Sequence, residues 1–171
     1  MSRETRRWRI GGQVQGVGFR PFVHREASAR GLAGYVQNRG GEVLIEAGGT
    51  GEALDELLDR LLHHAPPLAR PRLIDVQVID PVPVQGFVIR ASAADDAPRI
   101  QLPPDYFTCD DCLAELADPA ARRHRYPFIN CTQCGPRYTL IRALPYDRPN
   151  TAMAGFALCP ACRAEYDNPA D

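Results

Sequence analysis

The sequence predicts an α+β domain with the element order βαββαβ, in which two helices cover one face of an antiparallel sheet, followed by a small module that binds metal through four cysteines. Three observations support this. Residues 1–91 alternate between strand-like and helix-like apolar periodicity. Residues 92–104 are small, acidic and bounded by prolines, as in a linker. All six cysteines lie in 105–171. The predicted arrangement of the first part is ferredoxin-like.

Five short apolar runs predict the strands. Residues 7–14 form the first, and residues 33–38 and 42–47 form a hairpin around the Gly40–Gly41 pair. Alternation continues in a fourth strand, and a short apolar run predicts a fifth. The residues that define these last two are Ile74, Val76 and Val78, and then Phe87, Val88 and Ile89.

Two segments have helical spacing. The first, 21–30, opens at Pro21 and is expected to stop at Gly31. Thr50 is a good cap for the second helix, which has Glu52 in its first turn and is ended by prolines at 66 and 67. Its apolar stripe is expected to cover the sheet as core and consists of Leu54, Leu57, Leu58, Leu61 and Leu62.

A glycine-rich turn joins the first strand to the first helix. Its residues are Gln15, Gly16, Val17, Gly18, Phe19 and Arg20. Glycines allow a tight turn in which main-chain amides point at a ligand, and the positive end of a helix favours an anion there. Arg20 adds a planar, permanently charged fork suited to phosphate oxygens. The residues therefore predict a small phosphate-binding site, although a glycine-rich turn alone could be only a turn.

Asn38 lies 18 positions after Arg20, at the end of a strand-like run. The pattern Val-Gln-Gly-Val-x-Phe-Arg, followed at that distance by Asn-x-x-Gly-x-Val, resembles the acylphosphatase family over roughly residues 5–91. The resemblance implies that the loop 15–20 and Arg20 hold the phosphate of an acyl phosphate, while Asn38 positions the attacking water. No nucleophilic side chain is needed, because the substrate is already activated and charge neutralisation can lower the barrier.

Composition narrows the function. The net charge is −1, so no overall charge attracts the chain to nucleic acid or an anionic membrane. All 20 basic residues are Arg, which excludes a phosphate-loop lysine and a Schiff-base lysine. Apolar runs stay far below the ~20 residues of a membrane span, and no signal-peptide core follows the N terminus. We therefore expect a cytoplasmic protein.

The cysteines form three Cys-x2-Cys pairs, which in a chain without a secretory signal indicate metal rather than disulfides. The pairs are Cys109 with Cys112, Cys131 with Cys134, and Cys159 with Cys162. The first two pairs are separated by 18 residues and predict a tetrahedral Zn2+ site. Four thiolates leave no open position, so the zinc should be structural. His124 is interpreted as a surface histidine.

The third pair is explained by an internal repeat. Cys109-x2-Cys112-x2-Glu115 and its continuation through Ala120 recur 50 residues later, from Cys159 to Ala170. The repeat places a missing partner pair near positions 181 and 184, so we expect the chain to be a fragment cut inside a second finger. Alternatively, the third pair is free or shares the first zinc.

The basic cluster at Arg122, Arg123 and Arg125 raises the possibility of a nucleic-acid-binding finger. Residues 105–171 nevertheless hold nine acidic residues and seven arginines, a net charge of −2. A nucleic-acid reader is usually basic on one face. We therefore expect no nucleic-acid partner.

Two stretches of the finger region are distinctive, Tyr126-Pro-Phe-Ile-Asn-Cys-Thr-Gln-Cys-Gly-Pro-Arg-Tyr138 and Pro145-Tyr-Asp-Arg-Pro-Asn-Thr151. Together with the loop and Arg20-Pro21-Phe22-Val23, they resemble the N-terminal part of the HypF family, the carbamoyltransferases of nickel–iron hydrogenase maturation. The resemblance implies that the first domain hydrolyses carbamoyl phosphate. It also implies that downstream domains outside this chain use ATP and pass the carbamoyl group to a HypE-type partner.

Two other functions fit the same residues. The first is a general acylphosphatase with a zinc appendage, which would not prefer carbamoyl phosphate over other acyl phosphates. The second is a module without catalytic activity that docks a partner protein.

Overall fold

The computed structural model describes residues 3–81, 83–93, 108–131, 134–135, 137–143 and 146–168. The predicted linker residues 94–104 lie outside these ranges. In chain order the elements are β1 (Arg3–Gln13), α1 (Phe19–Ala29), β2 (Ala33–Arg39), β3 (Glu42–Thr50), α2 (Gly51–His63), β4 (Arg70–Ile79), β5 (Phe87–Ile89), α3 (Asp110–Ala117) and α4 (Pro160–Asp167), with single 3-10 turns at Tyr138–Leu140 and Arg148–Asn150. The predicted order βαββαβ is confirmed, and so is the short fifth strand that was predicted after it.

The first part of the chain forms one five-stranded sheet with the strand order β4-β1-β3-β2-β5. The pairs β1–β3, β1–β4 and β2–β3 are antiparallel, as predicted. The pairing of β5 is different, because β5 lies parallel to β2. After β4, which forms one edge, the chain joins the opposite edge of the sheet, where its direction matches that of β2.

One face of the sheet is buried beneath α1 and α2. In the register between β1 and β3, Trp8 lies opposite Ile45 and Ile10 opposite Val43, and all four are fully buried. From α2, Leu54, Leu57 and Leu61 are also fully buried, so the predicted apolar stripe is core. On the other face β1 and β3 are joined by ion pairs, such as Arg7 to Glu46 at 2.6 Å. The sheet therefore has one apolar and one charged face.

The helix ends follow the predicted signals closely. Helix α1 begins at Phe19, two residues before Pro21, and a proline is tolerated there because amides of the first turn have no partner within a helix. It stops before Gly31, which has a φ of +64°. The Thr50 hydroxyl caps α2 by accepting a hydrogen bond from the Ala53 amide at 3.3 Å. Among the described residues, no helix combines the length and apolar character needed to cross a membrane.

The alternating valines of the fourth strand lie on an open edge. Val76 and Val78 in β4 are 49% and 71% exposed, although Val76 lies opposite the fully buried Trp8 of β1. Because β4 is the outermost strand, its side chains have a neighbouring strand on only one side.

The predicted repeat of 50 residues is also a structural repeat. Helices α3 and α4 have eight residues each, their bounds differ by 50, and each follows a cysteine at its N-cap. Arg123 links them, because its guanidinium forms ion pairs with Glu115 of α3 at 2.6 Å and with Glu165 of α4. These two glutamates occupy equivalent positions in the repeat. His124 is exposed, as predicted.

Candidate functional site

The glycine-rich turn between β1 and α1 is anchored by side chains that point into the core. Val14, Val17 and Phe19 are at most 1% exposed. Between these anchors Gly16 and Gly18 have φ values of 70° and 71°, a left-handed conformation that other residues rarely adopt. The alternation of anchored apolar residues with glycines therefore fixes the course of the main chain through the turn.

The turn offers several main-chain donors to a ligand. Within the described residues, no acceptor contacts the amides of Gly16, Val17 and Gly18. Gly18 is the N-cap of α1 and has no side chain to cap it, so the amides of Phe19 and Arg20 also lack an acceptor among the residues that the structure describes. Unpaired amides at a helix N terminus attract an anion, because they donate hydrogen bonds and the helix dipole is positive there.

The structure brings Arg20 and Asn38 together. Arg20 lies in the first turn of α1, and Asn38, which is only 3% exposed, lies near the end of β2. The guanidinium donates two hydrogen bonds to the Asn38 amide oxygen, from Nε at 3.1 Å and from Nη2 at 3.3 Å. The amide orientation is assigned from these bonds, because the opposite orientation would place the amide N–H groups against guanidinium donors.

A carboxylate from the second part of the chain also reaches Arg20. The Nη2 group of Arg20 donates to Oδ1 of Asp147 at 2.8 Å. The hydroxyl of Ser92 donates to Oδ2 of the same carboxylate at 2.8 Å, and Nη1 of Arg20 lies 3.4 Å from that hydroxyl. Neither Asp147 nor Ser92 was predicted from the sequence to belong to the site.

Main-chain hydrogen bonds hold the segments that carry Ser92 and Asp147 in place. After β5 the chain continues along β2, where the Ala93 amide donates to the Asn38 carbonyl at 2.9 Å, so Ser92 lies beside the end of β2. Asp147 is the N-cap of the 3-10 turn Arg148–Asn150, and its carbonyl accepts from the Asn150 amide at 2.8 Å. The first residues of the predicted linker are therefore bonded to the sheet.

Four of the six predicted metal ligands form one cluster. The Sγ atoms of Cys109, Cys112, Cys131 and Cys134 all lie within 4.8 Å of one another. The separations Cys109–Cys131, Cys112–Cys134 and Cys131–Cys134 are 3.5, 3.9 and 3.8 Å. Sulfurs placed about 2.3 Å from a central ion in a tetrahedron would be about 3.8 Å apart. The donor set therefore fits a tetrahedral metal ion.

Two thiols of the cluster, Cys112 and Cys134, have pKa values shifted in opposite directions by their surroundings. Burial raises the pKa of the Cys112 thiol, and hydrogen bonds with the neighbouring thiols raise it further. Burial also acts to raise the pKa of Cys134, but main-chain hydrogen bonds and the Arg137 guanidinium, whose Nη2 lies 3.2 Å from the sulfur, outweigh it and lower the pKa to about 6. Cys134 is therefore more readily available than Cys112 as a thiolate ligand.

The third cysteine pair does not join this cluster. The Sγ atom of Cys159 accepts a hydrogen bond from the Cys162 amide at 3.4 Å, which is a local contact at the start of α4. The described part of the chain brings no group of three or more potential ligands together around these two residues.

The cysteine cluster approaches the glycine-rich turn of residues 15–20 through Gly135. Gly135 follows Cys134, and a methyl group added to Gly135 would lie 3.7 Å from the Gly16 carbonyl oxygen and 3.1 Å from Leu68. Since Gly135 has a φ of +74°, glycine suits this position for its backbone and for the close approach. The two parts of the chain therefore meet at Gly135 and at Asp147.

Comparisons with known families agree with this division. A family model described as Acylphosphatase matches residues 6–89, and a model described as HypF finger matches residues 108–141. The first matched range contains the glycine-rich turn with Arg20 and also Asn38, and the second contains the four clustered cysteines.

Similar proteins fall into two groups. Carbamoyltransferase HypF2 of Cupriavidus necator is 55% identical over 155 residues, which cover 90% of this chain and 19% of that protein. A crystal structure of full-length HypF in the phosphate- and nucleotide-bound form superimposes with a TM-score of 0.86 at 37% identity, covering 99% of this chain and 22% of that one. An acylphosphatase of Alkalilimnicola ehrlichii is 40% identical over 85 residues, 49% of this chain and 94% of that protein. The chain thus spans about a fifth of the HypF proteins and nearly all of a small acylphosphatase.

Proposed function

The chain belongs to the HypF carbamoyltransferase family and carries an acylphosphatase domain, a hydrolase-type enzyme domain, and on that premise we propose that this domain hydrolyses carbamoyl phosphate to carbamate and inorganic phosphate. The observation that carries the proposal is the contact between Arg20 and Asn38. This contact lies beside the phosphate loop, the turn of residues 15–20, whose amides have no acceptor among the described residues.

Each part of the site has a role in this reaction. The loop amides and Arg20 bind the dianionic phosphate group and neutralise the charge that develops on its oxygens. Asn38 holds a water molecule in line for attack, so the reaction gains from orientation without a nucleophilic side chain. The oxygen of that water becomes part of one product, and the bond between the carbamoyl group and the phosphate breaks.

The metal ion is Zn2+ with a structural role. Four cysteine thiolates are a preferred donor set for zinc, and they leave no coordination position for a substrate. In the whole protein, the carbamate formed here would feed an ATP-dependent transfer of the carbamoyl group to a HypE-type partner by domains outside this chain.

We expect the purified chain to release phosphate from carbamoyl phosphate faster than a buffer blank, with a higher kcat/KM than for acetyl phosphate. Phosphate is measured colorimetrically, and the blank corrects for spontaneous decomposition. Equal kcat/KM values would instead identify a general acylphosphatase. Release no faster than the blank from either substrate would identify a docking module without catalytic activity.

Replacing Asn38 by alanine should lower kcat by about tenfold to a hundredfold, because the water loses its orientation. The affinity for inorganic phosphate, measured as competitive inhibition, should change far less, since the loop amides and Arg20 remain. Gln77→Ala is a matched control, because it removes an exposed side-chain amide on β4, at the far edge of the sheet. An unchanged kcat together with weakened phosphate binding would remove Asn38 from the water-positioning role.

A further inference from the structure

Both forks of the Arg20 guanidinium are occupied by the protein itself. The fork formed by Nε and Nη2 donates to the Asn38 amide oxygen. The fork formed by Nη1 and Nη2 faces the Asp147 carboxylate and the Ser92 hydroxyl, which are themselves hydrogen-bonded to each other. A phosphate group that binds a guanidinium through two parallel hydrogen bonds needs one complete fork. One of these partners therefore has to move when phosphate binds.

Asn38 is the less mobile of the two partners. It is 3% exposed and lies in β2, between β3 and the segment that follows β5, where its own carbonyl accepts from the Ala93 amide. The Asp147 side chain is 28% exposed and sits outside the sheet, before a 3-10 turn. The fork that can be cleared at lowest cost is the one that holds Asp147.

Asp147 and a phosphate group also compete electrostatically. Both are anions whose oxygens match the spacing of the guanidinium fork, and like charges at one small site repel each other. A carboxylate that stayed in place beside a bound dianion would weaken binding, whereas one that swings away leaves the fork to the phosphate.

We propose that Asp147 is an affinity-determining residue of the phosphate site, an internal anion that holds the Nη1/Nη2 fork of Arg20 until a phosphate group displaces it and that returns when phosphate leaves. This inference rests on the proposed use of Arg20 as the phosphate ligand. Ser92 supports the resting position by donating to the carboxylate. The competing anion speeds the release of inorganic phosphate, a product that would otherwise remain bound to the same donors as the substrate.

The displacement of Asp147 by phosphate depends on both parts of the chain. Ser92 and Asp147 both lie beyond residues 6–89, the range matched as acylphosphatase. Displacing Asp147 breaks its ion pair with Arg20 of the first part and its hydrogen bond with Ser92 of the segment that follows β5. Occupancy of the phosphate site is therefore transmitted directly to the loop that carries Asp147.

The test measures equilibrium binding of inorganic phosphate to the full chain by calorimetry, without turnover. Asp147→Asn keeps the shape of the side chain and removes its charge. We expect the Kd for phosphate to fall by about tenfold or more, because a hydrogen bond from Arg20 to a neutral amide is weaker than one to a carboxylate and is displaced more easily. Asp167→Asn in α4 is the matched control. It makes the same chemical change at an exposed carboxylate, which pairs with a different arginine, Arg163, at 3.8 Å. It should leave the affinity unchanged.

Two further variants make the test decisive. Ser92→Ala removes the support of the carboxylate and should tighten phosphate binding by about threefold to fivefold. In an Arg20→Ala background, Asp147→Asn should no longer tighten binding, because the contested fork is gone. Unchanged or weaker phosphate binding by a folded Asp147→Asn chain overturns the proposal. If that variant does not fold, failure of Ser92→Ala to tighten binding does so. A chain that shows the expected binding but does not hydrolyse carbamoyl phosphate refutes the proposed function and leaves this inference standing.

Discussion

Replacing Arg20 by alanine should lower kcat/KM for carbamoyl phosphate by about a hundredfold or more. The loss of one charged donor aimed at a developing negative charge has an effect of that size in enzymes that stabilise oxyanions. In this site Arg20 is joined to Asn38 by two hydrogen bonds, so its loss also leaves the Asn38 amide without its partner. Steady-state phosphate release measures the effect.

Two further variants serve as comparisons for Arg20→Ala. Arg25→Ala removes an exposed guanidinium from the same helix and should leave the activity near that of the parent chain. The double variant Arg20→Ala with Asp147→Asn should be no more active than Arg20→Ala alone, because the carboxylate acts through the Arg20 guanidinium. Activity of Arg20→Ala within about tenfold of the parent chain would contradict the assigned role, because positioning effects alone exceed that range.

The second large effect is expected at the cluster of four cysteines. Cys112→Ser should abolish stoichiometric metal binding and unfold the second part of the chain. The only buried apolar side chain in that cluster, apart from cysteines, is Ile129 among the described residues. So small a core cannot offset the entropy of ordering the segment, and metal binding supplies the missing free energy, as in other small metal modules. Metal content by mass spectrometry and limited proteolysis measure the outcome.

Cys159→Ser is the matched control for this experiment. Cys159 is exposed and lies outside the cluster of four, so its removal should leave the bound metal in place. The sheet domain should stay folded in both variants, because its core draws on residues from Trp8 to Ile89 and shares none with the cysteine cluster. A Cys112→Ser chain that keeps one tightly bound metal ion and resists protease as the parent does would refute the dependence on metal.

Local patterns were sufficient to predict most of the elements and the glycine-rich turn between β1 and α1. Alternation and helical spacing located β1 to β5 and both helices, because each element has one apolar face. The Thr50 cap and the stop at Gly31 are also local, since each depends on a few adjacent residues. The repeat of 50 residues was predicted only as a sequence repeat, and the structure shows that it carries two helices with the same offset, α3 and α4.

The contacts that local patterns did not predict join distant residues. Arg20 and Asp147 are separated by 127 positions, and a single sequence contains no periodicity that pairs them. Ser92 was assigned to a linker because its neighbours are small and polar, although the Ala93 amide bonds to the sheet. The parallel pairing of β5 with β2 also depends on which edge of the sheet the chain joins after β4.

The parallel pairing of β5 decides where anything fused to this domain would sit. The start of β1 pairs with the end of β3, and the end of β2, with Asn38, pairs with the start of β3. The chain therefore enters the sheet about 20 Å from Asn38, the length of a seven-residue strand, whereas Ala93 is hydrogen-bonded to Asn38 itself. An affinity tag or fluorescent reporter on an isolated domain should be attached ahead of β1, since one placed after Ala93 would begin beside Asn38.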